Sequence, residues 1–573
     1  MQVQYLVEIP DPHTHMVKIS LYAKRNKDQM TFFLPSWSPG SYLMREYARH
    51  LRTISAKDKK GKDLFIDQVA KGKWQVDFSH HEFKSDSDEL TISYEIYAHE
   101  LTVRTSHIDD SHAFLHGPSL FLGIEGEQLT KPTVELRFPP LWSKVTTGLI
   151  DISKNDKTFL YEAIDYDDLL DCPIEIGCQE TDGFMVDKKE HYLAFWGETY
   201  PHSYNVKADM KKIVEYVSKF MGDIPYENYT FITHFAPNLF GGLEHQNSTA
   251  LHFDGRLFNK REAYIQWLAL VAHEYFHTWN IKRIRPKELG PFDYTNENYT
   301  KMLWLAEGLT SFVDELFVYQ SGLCTLEEYL KMQKDNLNRY YSIPGRKFHS
   351  LETSSYNAWI KLYRPDENTL NSSISYYLKG GIVFNCLHIE LLAHGKTIQD
   401  LCHALWKRYK EDKKTGMTKK EFLDVVTNLS NKEVAEKFEH MLSSTEEIDY
   451  ESYFKKVGVS FKWEPANKPS FGVTWEPRGD RVFIKSVTLD SAAHQNGLNA
   501  ADELIAINRQ RFLFADTTKI DELLKENTSY LLTISRLGKL IEIEVTPKKP
   551  EKTISQLVIE DRKLVENSLL CKS

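Results

Sequence analysis

In the first 170 residues, apolar positions alternate with polar ones. The runs 4–9, 16–23, 30–34 and 90–97 alternate or are rich in β-forming residues, the pattern of half-buried strands. Turn-forming stretches separate them: Lys57-Asp58-Lys59-Lys60-Gly61 is one, and 35–42, with Pro35, Pro39 and Gly40, reads as a rigid loop. These features predict a β-sandwich. Later the period changes. Strands are expected at 192–196 and 229–235, with a helix over 208–220 between them. Stretches 260–283 and 302–319 are apolar over lengths no ordinary strand reaches, and they read as two buried helices. A third strongly apolar helix opens after Ile374 and runs to about 392, and amphipathic helical faces follow at 401–406 and 422–426. Strands return at 482–487, 531–535 and 540–546.

A chain of 573 residues is too long for one hydrophobic core. Four segments are expected: 1–170 β-rich, 171–462 mainly helical, 463–548 a smaller β-unit, and 549–573 a charged tail. The net charge of -10 disfavours a nucleic-acid partner, which wants a basic face. No run approaches 18 apolar residues, so no membrane span is expected. The start lacks a basic stretch followed by an apolar core, which points to a cytoplasmic location. Six scattered cysteines (Cys172, Cys178, Cys324, Cys386, Cys402 and Cys571) have no metal-knuckle spacing and are expected to be reduced.

The apolar stretch 268–277 ends in His273-Glu274-Tyr275-Phe276-His277. Histidines four apart share one face of a helix, one turn apart, and can reach one metal ion. Glu274 does not ligate in this motif and can take a proton from the attacking water. A catalytic zinc needs a third protein ligand, and Glu307, in the apolar run Leu303-Trp304-Leu305-Ala306-Glu307-Gly308, is the best placed. Packing alone explains the histidines poorly, because burying two imidazoles and two carboxylates without partners is costly. Upstream, Gly241 and Gly242 allow close approach of another chain, and Glu244 follows them. His107, Asp109, Asp110 and His112 offer the donors of a second metal group, but they cluster on a stretch that reads as a surface loop, where ordinary solvation explains them as well.

The runs 273–280, Lys282-Arg283-Ile284-Arg285-Pro286 and 303–310 resemble the M61 peptidases, the glycyl aminopeptidase family of the gluzincins. The resemblance implies a multidomain α+β protein. Its parts are an N-terminal β-sandwich-like domain, a thermolysin-like, mainly helical catalytic domain with an edge-stranded sheet, and a C-terminal PDZ-like domain. It implies one catalytic zinc on His273, His277 and Glu307, with Glu274 as base. In gluzincin aminopeptidases a Gly-x-x-Glu stretch on the edge strand grips the substrate α-amine, which matches Gly241, Gly242 and Glu244; His245 departs from the asparagine of the related M1 group. A Tyr-x-Lys-Gly stretch matches Tyr377, with Tyr376 its rival, as donor to the oxyanion. Small N-terminal residues, glycine or alanine, are the implied preference. Segment 491–508 with Gly472 resembles a PDZ domain whose second groove wall would be 519–524. That groove would take a peptide end, or the unit would serve only as packing. The alternatives are a zinc endopeptidase or oligopeptidase on the same chemistry, and a non-catalytic peptide-binding protein.

Overall fold

The computed structural model describes residues 1–155, 158–465, 468–512, 520, 524–549 and 552–570. Strands Met16–Lys24 and Glu89–Tyr97 bury alternate side chains and pair antiparallel, from Met16 opposite Tyr97 to Lys24 opposite Glu89. Strand Asp63–Ala70 makes the sandwich. It pairs with Leu51–Asp58 only at its start, then with Lys73–Asp77, and so carries the chain from one layer to the other. Val17, Ile19, Leu21, Ile92 and Tyr94 of one layer share a core with Met30, Phe32, Trp74 and Val76 of the other. A separate four-stranded sheet runs in the order Lys144–Thr147, Ile174–Gly177, His112–Leu115, His107–Ile108.

The next sheet has five strands, ordered Glu180–Val186, Lys189–Gly197, Asn228–Phe235, Ser248–Phe253, Phe240–Glu244. The last, antiparallel to its neighbour, is a free edge. Helices Val206–Met221 and Arg261–Phe276 pack beside this sheet and beside each other. Helix Arg261–Phe276 buries residues all round, Leu268, Val271, Ala272 and Tyr275 among them. It stops at Phe276, not at Arg283 as the sequence, with no helix breaker before Pro286, predicts. The chain turns sharply, with Ile281 at φ 127°, and Arg283 Nη1 donates to the Thr278 carbonyl at 2.6 Å. The predicted helix 302–319 opens as a π-helical turn, Trp304–Gly308, before helix Leu309–Gln320. Helix Tyr376–Leu392 follows as the apolar run predicts.

The C-terminal sheet has six strands, among them Val473–Arg478, Arg481–Val487, Glu503–Ile507, Tyr530–Arg536 and Lys539–Val545. Of the expected groove helix 519–524, residues 519 and 521–523 lie outside the described residues; Ile520 and Leu524 are buried in this unit's core. Trp463, expected to begin the smaller β-unit, belongs to strand Val459–Glu464. That strand pairs with Thr553–Ile559, in the stretch read as a tail. The latter strand also docks on the helical body, where Asn338 and Ile554 exchange two hydrogen bonds of 2.8 and 2.9 Å. The six-stranded unit is therefore tethered at both ends.

The π-helical turn and helix Tyr376–Leu392 touch backbone to backbone. A Cβ on Gly308 would stand 2.8 Å from the Gly380 Cα, closer than packed atoms come. Gly308→Ala is expected to cost about 1–3 kcal/mol through overpacking and, by moving the adjacent Glu307, to weaken zinc binding. A thermal melt with a zinc titration checks this; an unchanged melting temperature would show that the helices part freely.

Candidate active site

His273 and His277 leave the end of their helix toward the π-helical turn that carries Glu307. His273 Nδ1 pairs with Asp314 Oδ2 at 2.8 Å, and His277 Nδ1 donates to the Asn280 carbonyl at 2.6 Å. A carbonyl can only accept, so the His277 proton sits on Nδ1, and the Asp314 carboxylate favours the same tautomer at His273. Both Nε2 lone pairs then face Glu307 Oε2, at 3.4 Å from His273 and 3.2 Å from His277. Oε2 is buried and has no hydrogen-bond partner among the described residues. Three lone-pair donors meeting here need either a second proton on the rings or a cation between them. Ligands tetrahedral about zinc at 2.0–2.1 Å stand about 3.4 Å apart, so the donor set fits that ion. Burial works to raise the Glu307 carboxyl, but in the metal-free site His277 and His273, once they carry a second proton, outweigh it and hold it down.

Asn280 locks the two ligand-bearing segments together. Its Nδ2 donates to the carbonyls of Leu305 and Ala306 at 2.8 and 3.0 Å and lies 3.1 Å from Thr310 Oγ1. A π turn breaks the regular ladder of helical hydrogen bonds, and Asn280 caps it. Trp304 is fully buried against Phe384, Phe422 and Phe438.

A cavity of about 530 Å³ opens beside these groups, within the range of ligand pockets. Glu274 lines it and is buried, with Oε2 unpartnered among the described residues. Burial raises its carboxyl to about 7; His273 and His277 pull it down, while Glu244 and Glu307 push it up. The edge strand forms another wall, and Gly242 is needed there because a Cβ would overlap the Glu274 carboxylate. Glu244, Glu274 and His277 bring ligand atoms within 4.8 Å of one another. His245 turns to the Asp171 carboxylate, 3.1 Å away, which also accepts from Lys282 at 2.7 Å.

Tyr377 lines the cavity, its hydroxyl 3.4 Å from that of Tyr363, whereas Tyr376 is fully buried in the core. Burial raises the Tyr377 phenol well above its ordinary value, with Glu307 adding to the shift, so it stays a proton donor. Four residues at the site were not foreseen: Gly40, Arg104, Asp314 and Tyr363. A Cβ on Gly40 would stand 2.7 Å from both Glu244 oxygens, and Arg104 Nη2 donates to the Gly242 carbonyl at 3.0 Å. Both reach across from the β-sandwich segment. Asp314 follows Glu307 by two helical turns, a spacing that is legible in retrospect.

The family model for the M61 peptidase N-terminal domain matches residues 4–178, and that for M61 glycyl aminopeptidase matches 266–383. The chain belongs to the M61 peptidase family. Among solved structures, this M61 chain is similar to an aminopeptidase N family protein from Idiomarina loihiensis. The identity is 28% over 99% of this chain and 100% of that one, with a TM-score of 0.91. An M1 zinc metallopeptidase from Deinococcus radiodurans shares the fold at 11% identity, covering 78% of this chain and 95% of that one, TM-score 0.51. No curated protein matches the sequence. Family and donor set together make this M61 protein a zinc-dependent metallo-aminopeptidase. No helix among the described residues is long and apolar enough to cross a membrane.

Proposed function

We propose that this M61 enzyme removes small N-terminal residues, glycine or alanine, from peptides with a free α-amine. The observation that carries the reading is Glu244, a buried carboxylate beside Glu274 and His277 on the edge strand. An extended peptide can add to that edge, though Arg104 already occupies the Gly242 carbonyl. Its ammonium would pair with Glu244, which sets the register to the first peptide bond.

His273, His277 and Glu307 would hold the zinc. When bound, zinc polarises the scissile carbonyl and acidifies water. Glu274 takes the proton of the attacking water and returns it to the leaving amine. Tyr377 donates to the oxyanion. The preference for small residues rests on the family match. Segments 1–170, 171–462 and 463–548 are proposed as the domains, with the last a PDZ-like unit for a peptide end. A cytoplasmic setting accords with reduced thiols at Cys172, Cys178, Cys324 and Cys386.

The test compares glycyl-, alanyl- and leucyl-anilides with N-acetyl-glycyl-anilide, with zinc and with chelator. Chelator-sensitive cleavage is expected, glycyl and alanyl fastest and the blocked compound slower than any free-amine compound. Cleavage of the blocked compound as fast as of glycyl-anilide would make the protein an endopeptidase on the same zinc chemistry.

A further inference from the structure

A second group of donors lies outside the cavity. His107, Asp109 and His112 bring ligand atoms within 4.8 Å of one another. They do not stand on a solvated loop, as their sequence context suggests. His107 and His112 lie on adjacent strands and are buried, His112 with no exposed surface at all.

The hydrogen-bond pattern fixes which ring nitrogens are left with a lone pair. His107 Nδ1 donates to the His99 carbonyl at 2.7 Å. Since that partner can only accept, the neutral ring carries a lone pair on Nε2. That lone pair points at a carboxylate oxygen, Asp109 Oδ2, 3.2 Å away. Two electron-rich atoms at this distance require either a second proton on the ring or a cation. The other oxygen, Asp109 Oδ1, is engaged by the Ser111 amide and hydroxyl and by the His112 amide. Oδ2 is thus free of the turn and held facing His107.

His112 repeats the arrangement. Its Nδ1 meets Glu175 Oε1 at 2.8 Å, so Nε2 is the nitrogen left to offer. Nε2 is buried and has no hydrogen-bond partner among the described residues. Stacking on Trp196, with centroids 3.9 Å apart, fixes the ring. His116 also has buried unpartnered nitrogens, but among the described residues it belongs to no such donor group.

We propose that His107, Asp109 and His112 form a second site for a divalent cation of the zinc class, distinct from the catalytic centre. Two imidazoles and one carboxylate select zinc and its transition-metal neighbours over calcium or magnesium. Each imidazole has its far nitrogen held by a carbonyl or a carboxylate, the usual support of a metal-bound histidine. The ion draws the donors together by on the order of 1 Å, and the side chain of Asp109, 29% exposed, gives it a way in.

The site has a structural consequence. Glu175 Oε2 meets His234 Nε2 at 3.0 Å, and His234 Nδ1 lies 3.0 Å from His252 Nε2. His252 pairs with Gly241 of the edge strand. The cation therefore anchors a buried chain of polar groups that runs from the N-terminal strands to the wall of the cleft.

The experiment counts zinc. The full chain is stripped with chelator, titrated with zinc alone, desalted and measured by elemental analysis. The wild type is expected to hold two equivalents per chain. Asp109→Ala (D109A) is expected to hold one and still cleave glycyl-anilide, because Asp109 touches neither the cavity nor the catalytic donors. His107→Gln (H107Q) serves as the second variant if D109A does not fold. One equivalent in the wild type would overturn the proposal and leave a protonated His107 paired with Asp109. Two equivalents in a folded D109A or H107Q protein would place the extra ion elsewhere and overturn it equally.

Discussion

Glu274→Gln (E274Q) is expected to lower kcat for glycyl-anilide by about 10²- to 10⁴-fold, the usual worth of a positioned base, while zinc stays bound. Glutamine keeps the shape of the side chain and removes only its basicity. Glu274 is not one of the three donors His273, His277 and Glu307 that would hold the zinc, so zinc stoichiometry should not move. The geometry leaves it little alternative work. It is buried, one oxygen is unpartnered, and Gly242 packs directly on it. Its ionisation also sets an acid limb. The free carboxyl is raised to about 7, burial being the largest cause. A dication beside it pulls the value down, so kcat/KM should fall as pH drops through a midpoint at or below 7, because protonation disables the base. In E274Q that limb should vanish from the residual rate. Steady-state kinetics with a zinc assay decide the matter: hydrolysis unchanged in a zinc-loaded variant would remove Glu274 from the chemistry.

The parts of this site that a reader of the sequence can find are those set by local periodicity. His273 and His277 are four apart on an apolar helix, and Glu307 sits in a second apolar run, so their convergence is a matter of helical geometry. The π-helical turn was not legible, because it depends on Asn280 reaching carbonyls 25 and 26 residues away. Nor was the end of the ligand helix at Phe276, since no glycine or proline interrupts the chain before Pro286, while the tertiary contacts of Arg283 and Asn280 turn it. Gly40 and Arg104 come from another segment, and nothing local marks them as neighbours of Glu244 and Gly242. The same limit hid the burial of His107 and His112, whose polar surroundings read as a loop until strand Ile174–Gly177 brings Glu175 beside them. In the N-terminal sandwich, alternation located four strands to within a residue or two and missed others, Leu51–Asp58, Asp63–Ala70 and Lys73–Asp77 among them. It could not reveal that Asp63–Ala70 turns the corner between layers, which is a property of pairing.

Glu244→Ala (E244A) is expected to lower kcat/KM for glycyl-anilide by about 10²- to 10³-fold. Removing one partner of a buried, hydrogen-bonded ion pair costs roughly 3–5 kcal/mol, and the ammonium would then sit beside Glu274 alone. Because that pairing is made in the bound substrate as well as later, much of the loss should fall on KM. N-acetyl-glycyl-anilide has no ammonium to pair, so the slow rate on it should stay the same or rise. The ratio of free to blocked substrate therefore measures the anchor directly, and a general loss of folding cannot imitate it. Glu244→Gln (E244Q) keeps the volume against Gly40 and should show the same collapse of that ratio with less effect on stability. A ratio unchanged in both variants would mean that Glu244 supports the edge strand without touching the amine. The discrimination between free and blocked ends would then have to come from the shape of the cleft between Tyr363, Tyr377 and the zinc ligands.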